Sequence, residues 1–233
     1  MRFVERVSTG VIGLNQLLRG GFPTGSMILV VGPPGSGKST LGKQFLFDSL
    51  SKERPAVLVD TFEPFELVKE TMRSFEWVSG LDRMIFFDCY SWRTGVVAEK
   101  YAGSPKNLTE LSISLTNVIN EINPDSRARF VIDSFSDFIM HAGSEQAQKF
   151  LESVKARLSG RRITSVVILE DGLHEERVNA AIEYITDGTI KMQYEESGRS
   201  LMVSRMMGTP ATIKWIPFTL SRGLEMAVAN YFR

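Results

Sequence analysis

Residues Gly32 to Thr40 read GPPGSGKST. Gly32 is followed by four residues and then by Gly37, Lys38 and Ser39, the spacing of a loop that wraps phosphate. Glycines at 32, 35 and 37 allow positive φ and bring backbone N–H groups up to an anion with no Cβ in the way. A helix beginning near Lys38 adds its N-terminal dipole to that nest. Lys38 is placed to reach the β- and γ-phosphates of a nucleotide, and the Ser39 hydroxyl to ligate Mg2+. Pro33 and Pro34 stiffen the entry to the loop, and Ser36 and Thr40 complete the cradle.

Two carboxylates further along have types and positions that suit the same chemistry. "RFVIDS" is a short apolar run that ends in Asp133 and Ser134; a carboxylate at the end of a buried strand is the second Mg2+ ligand that such a loop needs. A strand that simply ends in an acidic turn would look alike. In "VDTFEPFELVKE", Asp60 ends a strand and Pro64 suits the first position of a helix. Glu63 therefore sits at a strand-to-helix junction, on the edge where open α/β sheets bind ligands, and could orient an attacking water. A capping or solvated glutamate would occupy the same position.

The elements that must hold these groups are legible in the apolar pattern. "SMILVV" (26–31) reads as a buried parallel strand, and Leu41, Phe45, Leu46 and Leu50 beyond the loop lie near helical spacing. "AVLVD" (56–60), "MIFFD" (84–88), "RFVIDS" (129–134) and "SVVILE" (165–170) are further strands. Stripes at Leu108, Leu111, Leu115, Val118, Ile119 and Ile122, and at Phe150, Leu151, Val154 and Leu158, are helices between them. Strands alternating with helices predict a parallel sheet covered on both faces. The chain ends differently: "TIKMQY" (189–194), "SLMVSRMM" (200–207) and "IPFTL" (216–220) read as hairpin-linked antiparallel strands at the edge of the sheet. Residues 91–106 lack periodicity and read as a loop.

The 233 residues suffice for one large domain, and no linker divides residues 1–233. With 27 basic and 27 acidic side chains the net charge is zero, which argues against a nucleic-acid binder. Cys89 stands alone, so no internal disulfide is expected and a reducing compartment fits. The start, "MRFVERVSTG", is too charged for a signal peptide, and no run reaches the ~18 apolar residues of a membrane span. A cytoplasmic protein is expected. His141, His174 and the three tryptophans read as surface, loop or core residues, and Glu170 as part of a polar turn, though placed where it could touch the nucleotide or water.

The run "VSTGVIGLNQLLRGGFPTGSMILVVGPPGSGKSTLGKQFL" closely resembles the KaiC-like branch of the RecA-superfamily ATPases, as do "TDGTIKM" and "GRSLMVSRMMGT" later on. The likeness runs in the same order from Ser8 to about Val228. It implies a single domain with an α/β, RecA-like P-loop core: a mostly parallel sheet flanked by helices, with antiparallel strands added at the C-terminal end. It also implies ATP and Mg2+ as cofactors. A homo-oligomer is expected, with a hexameric ring among its forms and nucleotide held between subunits. In that family the position of Asp133 belongs to the second metal ligand, and that of Glu63 to a catalytic glutamate.

Departures from the pattern bear on rate. The family commonly carries two adjacent glutamates, and the second position here is Pro64. Its K-M-R-G-T segment lends a lysine and an arginine to the neighbouring subunit's nucleotide. Here Arg205 stands at the lysine position and Met207 at the arginine position, with Pro210 and Ala211 where a histidine usually follows. Methionine has no charge and no donor, whereas an arginine finger contributes ~10³–10⁵ in rate. Arg205, on the same strand face as Met207, is the residue that could compensate. The expectation is firm ATP binding with slow, Mg2+-dependent hydrolysis, serving as a nucleotide-dependent switch on the protein's own oligomer or on an unidentified protein partner. A fully active ATPase motor and a recombinase-like DNA-binding ATPase are the alternatives.

Overall fold

The computed structural model describes residues 5–95, 99–209 and 212–226. Near the start, β1 (Arg6–Val7) and β2 (Phe22–Pro23) form a small antiparallel ribbon around α1 (Ile12–Leu17). The main body then alternates strand and helix. It comprises β3 (Met27–Gly32), α2 (Lys38–Leu50), β4 (Ala56–Asp60), α3 (Phe65–Ser74), β5 (Ile85–Asp88), β6 (Tyr101–Ala102), α4 (Leu108–Glu121) and β7 (Arg129–Asp133). It continues with α5 (Phe135–Ala142), α6 (Ser144–Gly160), β8 (Thr164–Glu170) and α7 (Glu176–Ile185). Four strands close the fold: β9 (Gly188–Glu195), β10 (Gly198–Met206), β11 (Thr212–Leu220) and β12 (Leu224–Glu225).

These strands make one ten-stranded sheet in the order β12-β11-β10-β9-β3-β8-β7-β4-β5-β6. From β9 to β6 every neighbouring pair is parallel, whereas β10, β11 and β12 run antiparallel to their neighbours. The expected architecture is therefore present, with one refinement. The strand holding "TIKMQY" lies parallel to β3 on its inner side and antiparallel only to β10 on its outer side.

The central strands are dry on both faces, which explains why they are apolar throughout rather than alternating. Because successive side chains point to opposite faces, Ile28 and Val30 of β3 join a core with Leu41 and Phe45 of α2 and Leu14 of α1. Met27 and Leu29 join a second core with Leu111 and Leu115 of α4, Phe138 of α5 and Leu151 of α6. Among the described residues no helix is long and apolar enough to cross a membrane.

Two local readings are revised. Pro64 lies just outside α3 as its N-cap, with extended ψ of 157°, rather than at its first helical position. The stretch 91–106, read as a loop, holds a helical turn at Ser91–Arg93 and the edge strand β6, which pairs with Phe87 and Asp88. Residues 96–98 of that stretch, and Pro210 and Ala211, lie outside the described residues.

Candidate functional site

The parallel register brings four strand ends to one edge. Gly32 of β3 stands beside Glu170 of β8, and Asp60 of β4 beside Asp133 of β7. The phosphate-type loop springs from that edge. Gly35 and Gly37 take φ of +76° and +97°, and Gly37 is the N-cap of α2. Gly32 tolerates no side chain, since a Cβ there would come 2.3 Å from the Met192 carbonyl oxygen. Ser36 is buried, and among the described residues its hydroxyl has no hydrogen-bond partner. A backbone nest with an unsatisfied hydroxyl fits an anion.

Lys38 opens α2 and is only 4% exposed. Its ammonium donates to the Pro33 carbonyl oxygen at 2.8 Å and to Glu170 Oε2 at 3.0 Å. Ser39 is exposed, and it lines the same cleft as Asp133, close enough to offset part of the pKa rise that burial gives the Asp133 carboxyl group. A hydroxyl and a carboxylate so placed form a small oxygen donor set. Among the described residues no group of three or more His, Cys, Asp or Glu could hold a metal alone. The pair suits an ion such as Mg2+, which takes one or two protein oxygens and completes its shell from phosphates and water.

The carboxylates are crowded and dry. Burial raises Asp133, with Glu63 adding to the rise; the nearby Lys43 charge and the Ser39 hydroxyl oppose it. Burial, reinforced by Asp133, pushes Asp60 up to about 8 against the pull of Lys43. Asp60 Oδ1 also accepts the N–H groups of Phe62 at 2.8 Å and Glu63 at 2.9 Å, so it fixes the turn into α3. Glu63 caps no helix. Its Oε2 lies 2.6 Å from the ammonium of Lys43, whose side chain is 5% exposed against 30% for Glu63.

A cleft of about 470 Å³ joins these groups, lined by Gly35, Lys38, Ser39, Glu63, Asp133 and Glu170. Arg199 of β10 lines it too. Its Nε donates to the Gly35 carbonyl oxygen at 2.9 Å, and its guanidinium stacks 4.3 Å over the Tyr194 ring. The cleft therefore gathers Pro34, Gly35, Gly37, Lys38, Ser39 and Thr40 with Glu63 and Asp133.

Arg205 lies elsewhere. It pairs with Thr189 near the start of β9, which lies beside Leu29 in the half of β3 away from Gly32. Its Nη2 donates to the carbonyl oxygens of Glu183 and Thr186 at 2.5 and 2.6 Å, closing the C-terminal end of α7. Met207 follows the strand, about half exposed.

Two residues of this neighbourhood escaped sequence reasoning, and a third, Glu170, was placed near the site but read as a turn. Glu170 is no mere polar turn; it ends an apolar strand as Asp133 does, and that signal was available. Lys43 is a charge within the buried side of α2, which becomes informative only once Glu63 is known to face it. Arg199 has no local signal, because it arrives through the antiparallel return of β10.

The family profile described as "ATPase: KaiC" matches residues 7–228. UPF0273 protein MK0039 of Methanopyrus kandleri is 28% identical over 229 residues, covering 94% of this chain and 90% of its own. UPF0273 protein MJ1359 of Methanocaldococcus jannaschii is 29% identical over 231 residues, covering 94% of each. The crystal structure of KaiC-like protein PH0186 from Pyrococcus horikoshii superposes with a TM-score of 0.77 at 21% identity, over 96% of this chain and 99% of that one. At that identity the likeness speaks for the fold.

Proposed function

This chain belongs to the KaiC family of ATPases, and from that membership we propose that it binds ATP with Mg2+, hydrolyses it slowly and acts as a nucleotide-dependent switch. The switch would gate the protein's own oligomer, such as a ring with nucleotide between subunits, or a protein partner. The cytoplasm is the compartment we propose.

One observation carries this reading: the phosphate cradle is complete, but the two positions that would serve a neighbour's nucleotide are spent or uncharged. Lys38 and the loop amides supply charge and donors for phosphate, and Ser39 with Asp133 would hold Mg2+, which neutralises phosphate charge when bound. Glu63, at the lip of the cleft, is the carboxylate positioned to orient water. Arg205 is engaged by its own α7, and Met207 offers no donor. Losing an arginine finger lowers turnover by ~10³–10⁵.

The test is to load purified protein with MgATP and follow bound ATP and free phosphate in wild type, Lys38→Ala and Met207→Arg. We expect wild type to hold ATP for many minutes, Lys38→Ala to lose it, and Met207→Arg to quicken turnover. Arg199, in the cleft of its own subunit, favours one other reading, a brisk ATPase with its arginine supplied in cis. Steady turnover above about 1 s⁻¹ in wild type, the low end of ordinary enzyme rates, would establish that reading and refute the switch.

A further inference from the structure

Lys43 is the side chain of this site that phosphate binding leaves unexplained. It lies on the second turn of α2, beyond the loop, and its ammonium is almost fully removed from water. An isolated buried ammonium is costly, so its partners define its role. Its charge acts on three carboxylates at the sheet edge. It counters the burial of Asp60 and of Asp133, and it bonds directly to Glu63 at 2.6 Å.

Glu63 is held from both ends. Its N–H is taken by Asp60 Oδ1, and Pro64 after it fixes φ at −69°. Its Oε2 is taken by Lys43. A carboxylate in a charge-assisted bond of this length is oriented by its partner and has one oxygen fewer for water. Because Lys43 is rooted in the helix that carries the phosphate loop, the bond needs no ligand to form and no second subunit.

We propose that Lys43 is a positioning residue that latches Glu63 onto α2 and so restrains it from activating water. This rests on the assignment of Glu63 to the attacking water made above. The latch is a brake within one subunit, distinct from the absence of an arginine at position 207.

The experiment uses the full chain with radiolabelled ATP and Mg2+, measuring retained nucleotide and single-turnover phosphate release. Lys43→Met, Lys43→Gln, Glu63→Gln and the double variant Lys43→Met/Glu63→Gln run beside wild type. A positioned general base contributes ~10²–10⁴ in rate, so recovering part of it should speed phosphate release in Lys43→Met by about tenfold or more. Nucleotide retention before turnover should stay within about twofold, and the gain should vanish in the double variant; both follow if only the base is released.

Two results would overturn the latch. One is that Lys43→Met and Lys43→Gln retain ATP but release phosphate no faster than wild type. The other is a gain that persists without the Glu63 carboxylate. Failure of wild type itself to retain ATP would instead overturn the nucleotide reading on which the latch stands.

Discussion

Replacing Glu170 with glutamine should tighten ATP binding. Lys38 donates to Glu170 at 3.0 Å, and in the function proposed above the same ammonium serves the phosphates of a bound nucleotide. Two unit charges at that separation attract by about 5.5 kcal/mol at an effective dielectric of 20, and by about 1.4 kcal/mol in water. The Lys38 side chain is 4% exposed and that of Glu170 19%, so the pair lies between those limits. Desolvation of both groups removes most of the gain and leaves about 1–2 kcal/mol net. Glutamine keeps the shape and removes both this competition and the repulsion between carboxylate and phosphate. Affinity for ATP should rise roughly five- to thirtyfold, the equivalent of 1–2 kcal/mol, and affinity for the less charged ADP by less. The assay is equilibrium titration with a fluorescent ATP analogue, at fixed Mg2+ and ionic strength. Binding that is unchanged or weaker in Glu170→Gln would refute the reasoning and make Glu170 a support for Lys38 rather than its competitor.

The pH dependence of the ligand-free protein should carry the mark of Asp60. Its folded value is raised from 3.8 to about 8, so between these limits the folded state keeps a proton that the unfolded state has released. Stability should therefore fall as pH rises through this window, by at most about 1.4 kcal/mol per pH unit from this group; urea midpoints across the range should show a slope that Asp60→Asn flattens. Arg129→Met should lower stability by about 1–3 kcal/mol, read as a lower urea midpoint at unchanged m-value. Arg129 is 1% exposed and donates to Asp48 and to the Phe45 carbonyl oxygen. The loss stays moderate because Asp48 keeps its bond to Lys52 at 2.8 Å.

How much of this was legible in sequence depended on whether a signal was local. β4 and β7 are bounded where their apolar runs are bounded, because a strand buried on both faces cannot absorb a polar residue until it reaches the edge. The loop from Gly32 to Ser39 was legible because its glycines are demanded by backbone angle and close approach, which no other residue satisfies. Contacts made by the return of the chain were not legible. Arg199 meets Gly35 across 164 positions, and Arg205 finds the end of α7 rather than open solvent. The Lys43–Glu63 pair spans only 20 positions, but a lysine in a helix buried over most of its surface gives no sign of which group it meets until the turn after β4 is placed. The edge strand β6 was missed because two residues are too few to show a period.

The strand order has a consequence for how the molecule comes into being. β3, which carries the phosphate loop, finds its partners only in β8 and β9, which begin at Thr164 and Gly188. The middle of the sheet cannot close until the chain has emerged beyond Gly188. Such distant pairing fits slow folding, because closure entropy is spent before the contacts that offset it are made. During that wait "MILVV" stands as an unpaired apolar segment, the kind of surface through which nascent chains associate wrongly. The phosphate-type loop is thus made long before the strands that fix it in place.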